Sequence, residues 1–439
     1  MKDISRRDFL KYLGIGAAGL VAGPKLALAQ RGSRLLPATD SSRVVECVND
    51  NATNGSTINE PVVQSMMDES IKALTDIADV GEAWKSIFPG ITGDSVIGIK
   101  VNCINRYLAT HPQFVSTIVS GLARMQFSKG PFKRNNIIVW DRTDSELTSS
   151  GYTIYTGTDP DTTRYVGTNH SGFGYDTGIT FNVNGSSQNP SKILSQMCDY
   201  IIDAAVLKTH SQGVITLSMK CHYGSVHNPG GLQHSAGCSP AIPSLNQQIR
   251  DLVTPNNIQK LFIIDGLFGL YSGGPGGSPN FNPKLLIMSR DIVACDFRGQ
   301  QVINIERQAR SLSQLNAAQI TVAAQPPYSL GTTDIELVRL VNVGVNEPGR
   351  REAGGTGLDV RPQPLRGRGT VSFALPRDGH VRVDLFDESG RVAARVFDGA
   401  LRRGSHRLQF GNHGLRAGNY VLRLEGAGQK VQRAVTVVR

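Results

Sequence analysis

Tryptophan occurs only twice in 439 residues, and aromatic residues make up 6% of the chain. That scarcity, set beside 48 glycines, suits a loop-rich α/β protein. Cysteine is present but never in a C-x-x-C pair. The six are Cys47, Cys103, Cys198, Cys221, Cys238 and Cys295. Zinc ribbons, haem-attachment sites and ferredoxin-type clusters are therefore excluded. Cys221 and Cys238 are the best-placed pair for a disulfide, with the connectivity open. The glycine-rich loop Ser272-Gly273-Gly274-Pro275-Gly276-Gly277 lacks the Lys-Ser/Thr ending of a P-loop and opens no dinucleotide fold, so nucleotide binding is not expected. No long apolar run follows the N-terminal segment, and no transmembrane span is expected there.

What is present begins with an address. Ser5-Arg6-Arg7-Asp8-Phe9-Leu10-Lys11 precedes a short apolar stretch from Tyr12 to Ala22, and Ala27-Leu28-Ala29 stands before Gln30. A basic start, a short apolar middle and an A-x-A end are the parts of a signal peptide, and the paired arginines select the twin-arginine route. Residues 1–29 are expected to be removed, leaving a periplasmic or extracellular protein.

The formal net charge is +10, but it is not evenly spread. From Glu347 onward there are sixteen Arg and one Lys against nine acidic residues. The basic character belongs to the tail, where arginines alternate with apolar residues as on a solvated β surface. Nucleic acid is not expected as a partner.

Short apolar runs alternate with helical spacing through the central part. Strands are expected at Val96–Val101, Asn136–Trp140, Tyr200–Leu207, Leu261–Ile264 and Leu285–Met288, and helices at Phe114–Met125, Ile242–Leu252 and Asp291–Arg307. Thr143 to Pro190 reads as a looped or β-rich insertion without a clear helix. The pattern predicts an α/β domain over 44–343, with a mostly parallel sheet and helices on both faces. A Gly/Pro/Arg-rich stretch, 346–369, reads as a linker. Beyond it, over 370–439, apolar residues alternate with period two and predict a small all-β sandwich.

Ligands of open parallel sheets bind beyond the carboxyl ends of the strands. Those ends are polar here. Lys100 and Asn102 follow the first strand, Asp141 the second, Lys208, Thr209 and His210 the third, and Asp265 the fourth. Thr216, Lys220, Cys221, His222, His227, His234 and Cys238 come next, and four of the nine histidines fall between His210 and His234. Three readings stand. In the first, Lys208, His210, Asp141 and Asp265 do chemistry on a small anionic ligand, with His210 as base. Lys100, Asn102, Thr216, Lys220, Gly273 and Gly274 would hold that ligand. In the second, a divalent metal sits on His222, His227, His234, Cys221 or Cys238. In the third, the protein is a non-catalytic cell-envelope component, its histidines capping helices and bonding backbone.

The run from Gly93-Asp94-Ser95-Val96-Ile97-Gly98-Ile99-Lys100-Val101-Asn102 resembles a widespread prokaryotic domain of unknown function, number 362. So do Ile138-Val139-Trp140-Asp141, Asp203 to His210, Thr216-Leu217-Ser218-Met219-Lys220 with Gly224, His234, Ile263-Ile264-Asp265-Gly266, Gly273-Gly274-Pro275 and Ser289 to Asp296. The resemblance spans roughly 44–343 and implies no settled reaction. The family usually has Asn after the second lysine, where this chain has Cys221. Members that carry iron–sulfur clusters have ferredoxin-type cysteines, which this chain lacks. The tail resembles the Ig-like domain of flagellar hook-capping proteins and of type IX secretion sorting domains, from Leu358-Asp359-Val360-Arg361-Pro362-Gln363-Pro364 through Gly418-Asn419-Tyr420-Val421-Leu422-Arg423-Leu424. That resemblance implies attachment to a cell-envelope or secretion partner.

Overall fold

The computed structural model describes residues 41–252, 258–343 and 358–438, in the last span apart from 362–363, 366, 376, 388–389 and 412–413. The signal peptide expected at 1–29 lies outside the described residues. The chain divides into two units, 1–343 and 344–439.

In the first unit, short stretches rich in Val, Ile and Leu form the strands of one sheet, the central ones buried on both sides. They are β1 (Ser42–Val48), β2 (Ile97–Val101), β3 (Ile137–Asp141), β4 (Arg164–Gly167), β5 (Tyr200–His210), β6 (Val214–Thr216), β7 (Gln259–Leu270), β8 (Leu285–Ser289) and β9 (Ile335–Val341). The order is β9-β1-β8-β7-β5-β2-β3-β4, with β6 hairpinned onto β5. Strands β7, β5, β2, β3 and β4 run parallel. The expectation of a mostly parallel sheet holds for that block. Strand β8 is antiparallel to both β7 and β1, which makes the whole a mixed sheet.

Helices cover both faces. Against one pack α1 (Glu60–Thr75), α2 (Val80–Ser86) and α3 (Pro112–Leu122). Val63, Met66, Met67 and Ile71 of α1 recur at helical spacing and are fully buried with Ile99, Ile202, Ala204 and Ile263. Each such burial is worth about 1.5–3 kcal/mol. The helix stops at Asp76, which adopts a left-handed φ of 58°. The short α4 (Asp144–Ser149) opens with Thr143 accepting from the Glu146 N–H, inside the stretch expected to lack a helix. On the opposite face lie α5 (Ser218–Cys221), α6 (Ala241–Arg250), α7 (Ile292–Ala309) and α8 (Ala318–Ala324). They pack with Ile201, Ala205, Leu207 and Ile264. Asp291 caps α7 by accepting from the N–H groups of Val293 and Ala294. Among the described residues no helix is long and apolar enough to cross a membrane.

The second unit is all-β. Strands β10 (Asp359–Arg361), β11 (Arg368–Leu375) and β14 (Gly404–Gly411) form one antiparallel sheet. Strands β13 (Val392–Leu401), β12 (Gly379–Phe386), β15 (Gly418–Gly426) and β16 (Gln429–Val437) form another, in that order. Val371, Phe373, Val383, Leu385, Leu422 and Leu424 alternate inward into one core. The stretch 346–369 is not wholly a linker. It supplies β10 and the start of β11, while its residues 346–357, 362–363 and 366 lie outside the described residues.

Candidate functional site

Strand order fixes where a cleft can open. From β2 the chain passes outward to β3 and β4, then returns to the other side of β2 as β5 and continues to β7. Order reverses between β2 and β5, and their carboxyl ends diverge there, leaving a crevice. A cleft of about 230 Å³ lies there, lined among others by Asn102, Asp141, Arg142, His210, Thr216 and Lys220. Glu146, Cys221, Tyr223, Gly224, His234 and Pro275 complete much of its wall. A larger hollow of about 780 Å³ on the α1–α3 side includes Asn54, Glu60, Gln64 and Ser116, with no lysine, arginine or histidine in its wall.

The floor is an ion pair. Lys100 is fully buried and donates to Asp141 Oδ1 at 2.7 Å and to the Val101 carbonyl at 2.7 Å. Burial works against the Lys100 charge, but Asp141 outweighs it and raises the pKa above the ordinary lysine range. Asp141 Oδ2 also accepts from the Cys103 N–H and Oδ1 from the Arg142 N–H. Gly224 closes over this pair. A Cβ there would stand 3.0 Å from Asp141 Oδ1 and 3.2 Å from Lys100 Nζ.

Lys208 lies fully buried beside the cleft, not in its wall. It donates to Asn102 Oδ1 at 2.7 Å and to the Leu108 carbonyl at 3.1 Å, both neutral acceptors. Burial pushes its pKa down to about 8. Because the carbonyl oxygen of Asn102 takes the lysine, the amide NH2 is left free to donate elsewhere. His210 Nδ1 accepts the backbone N–H groups of Gln212 and Gly213, each at 3.0 Å. The ring proton therefore sits on Nε2, and burial holds the imidazole neutral, its pKa lowered to about 4. His210 enters the cleft as a donor, which corrects the expectation that it is the base.

Lys220 is half-buried. Its stem runs over the β5–β6 turn, where a Cβ on Gly213 would meet Cε at 3.3 Å. Its ammonium sits 3.5 Å from the centroid of the Tyr223 ring. Burial lowers its pKa to about 8. The short helix that carries it is anchored at its start by Asp296, whose carboxylate accepts from the Ser218 and Met219 N–H groups. Thr216 pairs in register with Lys208, and its buried hydroxyl has no partner.

Other expected site residues lie elsewhere. Asp265 does not reach the cleft. Its side chain turns to the α1–α3 face and accepts from the His111 N–H and, at 2.7 Å, bonds the His111 ring. Gly273 and Gly274 do not line the cleft either. A Cβ on Gly274 would fall 1.7 Å from the Thr209 carbonyl oxygen, so this glycine lets the loop lie against β5, and Pro275 alone reaches the rim.

The metal reading fares worse. Among the described residues no group of three or more His, Cys, Asp or Glu could hold a metal ion. His222 is fully buried, bonded to Ser225 Oγ, its Nε2 3.7 Å from Asp203. His227 is exposed and accepts from the Asn189 N–H. His234 donates from Nδ1 to the Leu232 carbonyl at 2.7 Å. Cys221 and Cys238 are both free, so the suggested disulfide is absent. Burial holds the Cys221 thiol well above its ordinary range, away from the thiolate a metal needs.

The sequence reasoning passed over Arg142, Tyr223, Asp203 and His111. Arg142 directly follows Asp141 and pairs with Glu146 at 3.2 Å. Asp203 is a lone carboxyl inside an apolar strand, the signal that marks it. Both its oxygens are buried without a hydrogen-bond partner, and burial holds its pKa well above the ordinary range. His111 carried no local signal.

Residues 97–300 match the family model described as a domain of unknown function (DUF362), which supports that family for the central part of the chain. No curated protein matches the sequence. A crystal structure of a Thermotoga maritima protein is similar at 9% identity and a TM-score of 0.33, over 58% of this chain and 60% of that one. The present chain thus spans less than two thirds of that protein's length. An engineered protein is similar at 11% identity and a TM-score of 0.17, over 91% and 94% of the two chains. Likenesses this distant bear on neither fold nor function.

Proposed function

We propose that the α/β unit binds a small anionic ligand in the cleft at the carboxyl ends of β2, β3 and β5. One observation carries the reading: the cleft is rich in donors that lack acceptors. Lys220 Nζ, the Asn102 amide, the Thr216 hydroxyl and His210 Nε2 belong to its wall, and none has a carboxylate partner among the described residues. The acids of the same wall are already engaged, Asp141 by Lys100 and Glu146 by Arg142. The Thr216 hydroxyl is buried without a partner and the other three donors face the cleft, so an anion is the ligand that satisfies them together. A volume of about 230 Å³ lies below the drug-sized range of roughly 300–1,000 Å³, so the ligand is small.

Thermal unfolding of the full chain in phosphate, sulfate or pyruvate, at fixed ionic strength, tests this reading. A ligand that binds only the native state raises the midpoint in proportion to RT ln(1 + [L]/Kd). The rise is expected in wild type and lost in Lys220→Ala. An equal rise in both proteins, or none, overturns the reading.

The remaining parts of the proposal concern placement. The Arg6-Arg7 motif and the Ala27-Leu28-Ala29 site support twin-arginine export to the periplasm or beyond. The tail is read as an Ig-like sandwich that attaches the protein to a cell-envelope or secretion partner. Tyr420 supports it, because its hydroxyl donates to the Arg416 carbonyl four residues upstream at 2.8 Å, in the manner of a tyrosine corner. Export that survives Arg6→Lys with Arg7→Lys would remove the twin-arginine assignment.

A further inference from the structure

We propose that Lys220 is an amine nucleophile that condenses with the carbonyl carbon of a small 2-oxo acid, forming an imine within the cleft. This inference rests on the anion-binding reading and names the substrate class for it.

The first support is the setting of the lysine. An anchoring ammonium is normally hydrated or paired with an acid, whereas Lys220 is half-buried with no carboxylate in ion-pair reach among the described residues, held in place against the Tyr223 ring. The ring it rests on is itself fixed, since the Tyr223 hydroxyl donates to the Gln233 carbonyl at 2.8 Å. The His234 ring stands against Tyr223 edge-on, with centroids 5.4 Å apart. Partial removal from water favours the free amine, the form that attacks carbonyls.

The second support is independent of the first. Two imidazoles line the cleft with opposite hydrogen-bonding polarity. His210 accepts at Nδ1 from two backbone N–H groups, so Nε2 carries the proton and can donate. His234 must donate at Nδ1, because its partner is a carbonyl oxygen, so neutral His234 keeps a lone pair on Nε2. Imine formation asks for one of each: a donor on the carbonyl oxygen and an acceptor for the amine proton. The Asn102 amide and the Thr216 hydroxyl are then left to hold the carboxylate.

The step balances without a redox partner. The neutral Lys220 nitrogen forms the N–C bond as the carbonyl π pair moves to oxygen beside His210 Nε2–H. His234 takes the proton from nitrogen. His234 hands that proton to the alkoxide, giving the carbinolamine, whose hydroxyl then leaves as water with the second nitrogen proton, again relayed by His234, as the C=N bond closes. Amine and carbonyl give imine and water.

The test is reductive trapping. The full chain is incubated with pyruvate and sodium cyanoborohydride, and the adduct is located by peptide mass mapping. One adduct per chain is expected on the Lys220 peptide, formed at least about tenfold faster than on exposed Lys129, and absent in Lys220→Arg. His234→Gln should slow trapping on the Lys220 peptide relative to exposed Lys129. Labelling of Lys220 no faster than Lys129 overturns the imine. If pyruvate still raises the unfolding midpoint through Lys220 in that case, the anion-binding reading stands without it. If neither effect occurs, both fall. Should Lys220→Arg fail to fold, the Lys220-to-Lys129 ratio within wild type decides alone.

Discussion

At the scale of single residues, the two buried lysines solve the same problem in different ways. Lys100 has a carboxylate, and Lys208 has two carbonyl oxygens. Removing the partner of a buried charge is costly, about 3–5 kcal/mol. Asp141→Ala should therefore lose stability of that order in urea unfolding, since Lys100 would be left without a counter-ion. Lys208 has the opposite signature. Its folded pKa is about 8, below the roughly 10.4 of an unfolded lysine, so between those values the unfolded chain binds more protons. Stability contributed at this position is lowest below about pH 8 and rises as pH climbs toward the unfolded value. Comparing wild type with Lys208→Met should show the difference moving in favour of wild type over that interval. A pH-independent difference would mean that Lys208 is not perturbed. The charged strand ends were legible in the sequence because each broke an apolar run. Their destinations were not. Lys100 follows Gly98 on the α6–α7 face, while Lys208 follows Val206 on the α1–α3 face, and side-chain alternation decides between them. Asp265 shares the parity of Ile263 and Leu267, so it meets His111 rather than the cleft.

At the scale of elements, the site depends on how the glycine loop is seated. Gly274 lies against Thr209, and its N–H donates to the Thr209 hydroxyl at 3.2 Å. Asn105 clasps the same loop through the carbonyls of Pro275 and Gly277. Gly274→Ala should push the loop off β5, with a stability loss of about 1–3 kcal/mol from overpacking. The phosphate-induced shift should weaken with it. A variant with wild-type calorimetry and wild-type ligand response would show that the loop has room to yield. The central strands were readable since strands buried on both faces keep continuous apolar runs. Strands β1 and β9 were not, because β1 pairs with β8 and with β9 across hundreds of residues. The alternating exposure of Ile335–Val341 gives no hint of them. Helix α1 was missed although Val63, Met66, Met67 and Ile71 carry its stripe. The short α4 lies in a polar stretch where capping by Thr143, not an apolar pattern, starts the helix.

At the scale of the whole molecule, the two units have separate cores. A fragment covering 358–439 should unfold cooperatively when expressed alone, and its removal should leave the thermal transition of the first unit in place. Calorimetry of the full chain and both fragments checks this. Loss of the first unit's transition on deleting the tail would show that the cores are interdependent. The first described strand has a consequence of its own. Strand β1 lies between β8 and β9, pairing with Leu285–Ser289 and Ile335–Val341. Ser42 hydrogen-bonds Asp291 across 249 positions. On the ribosome this strand emerges before every other strand of its sheet and finds its neighbours after all of them. Val44 and Val45, buried in the finished sheet, lack their strand partners for most of synthesis. Closure of the sheet then waits on the pairing with the highest loop-closure cost, which makes the oldest strand the last to be enclosed and the natural holding point for a chaperone.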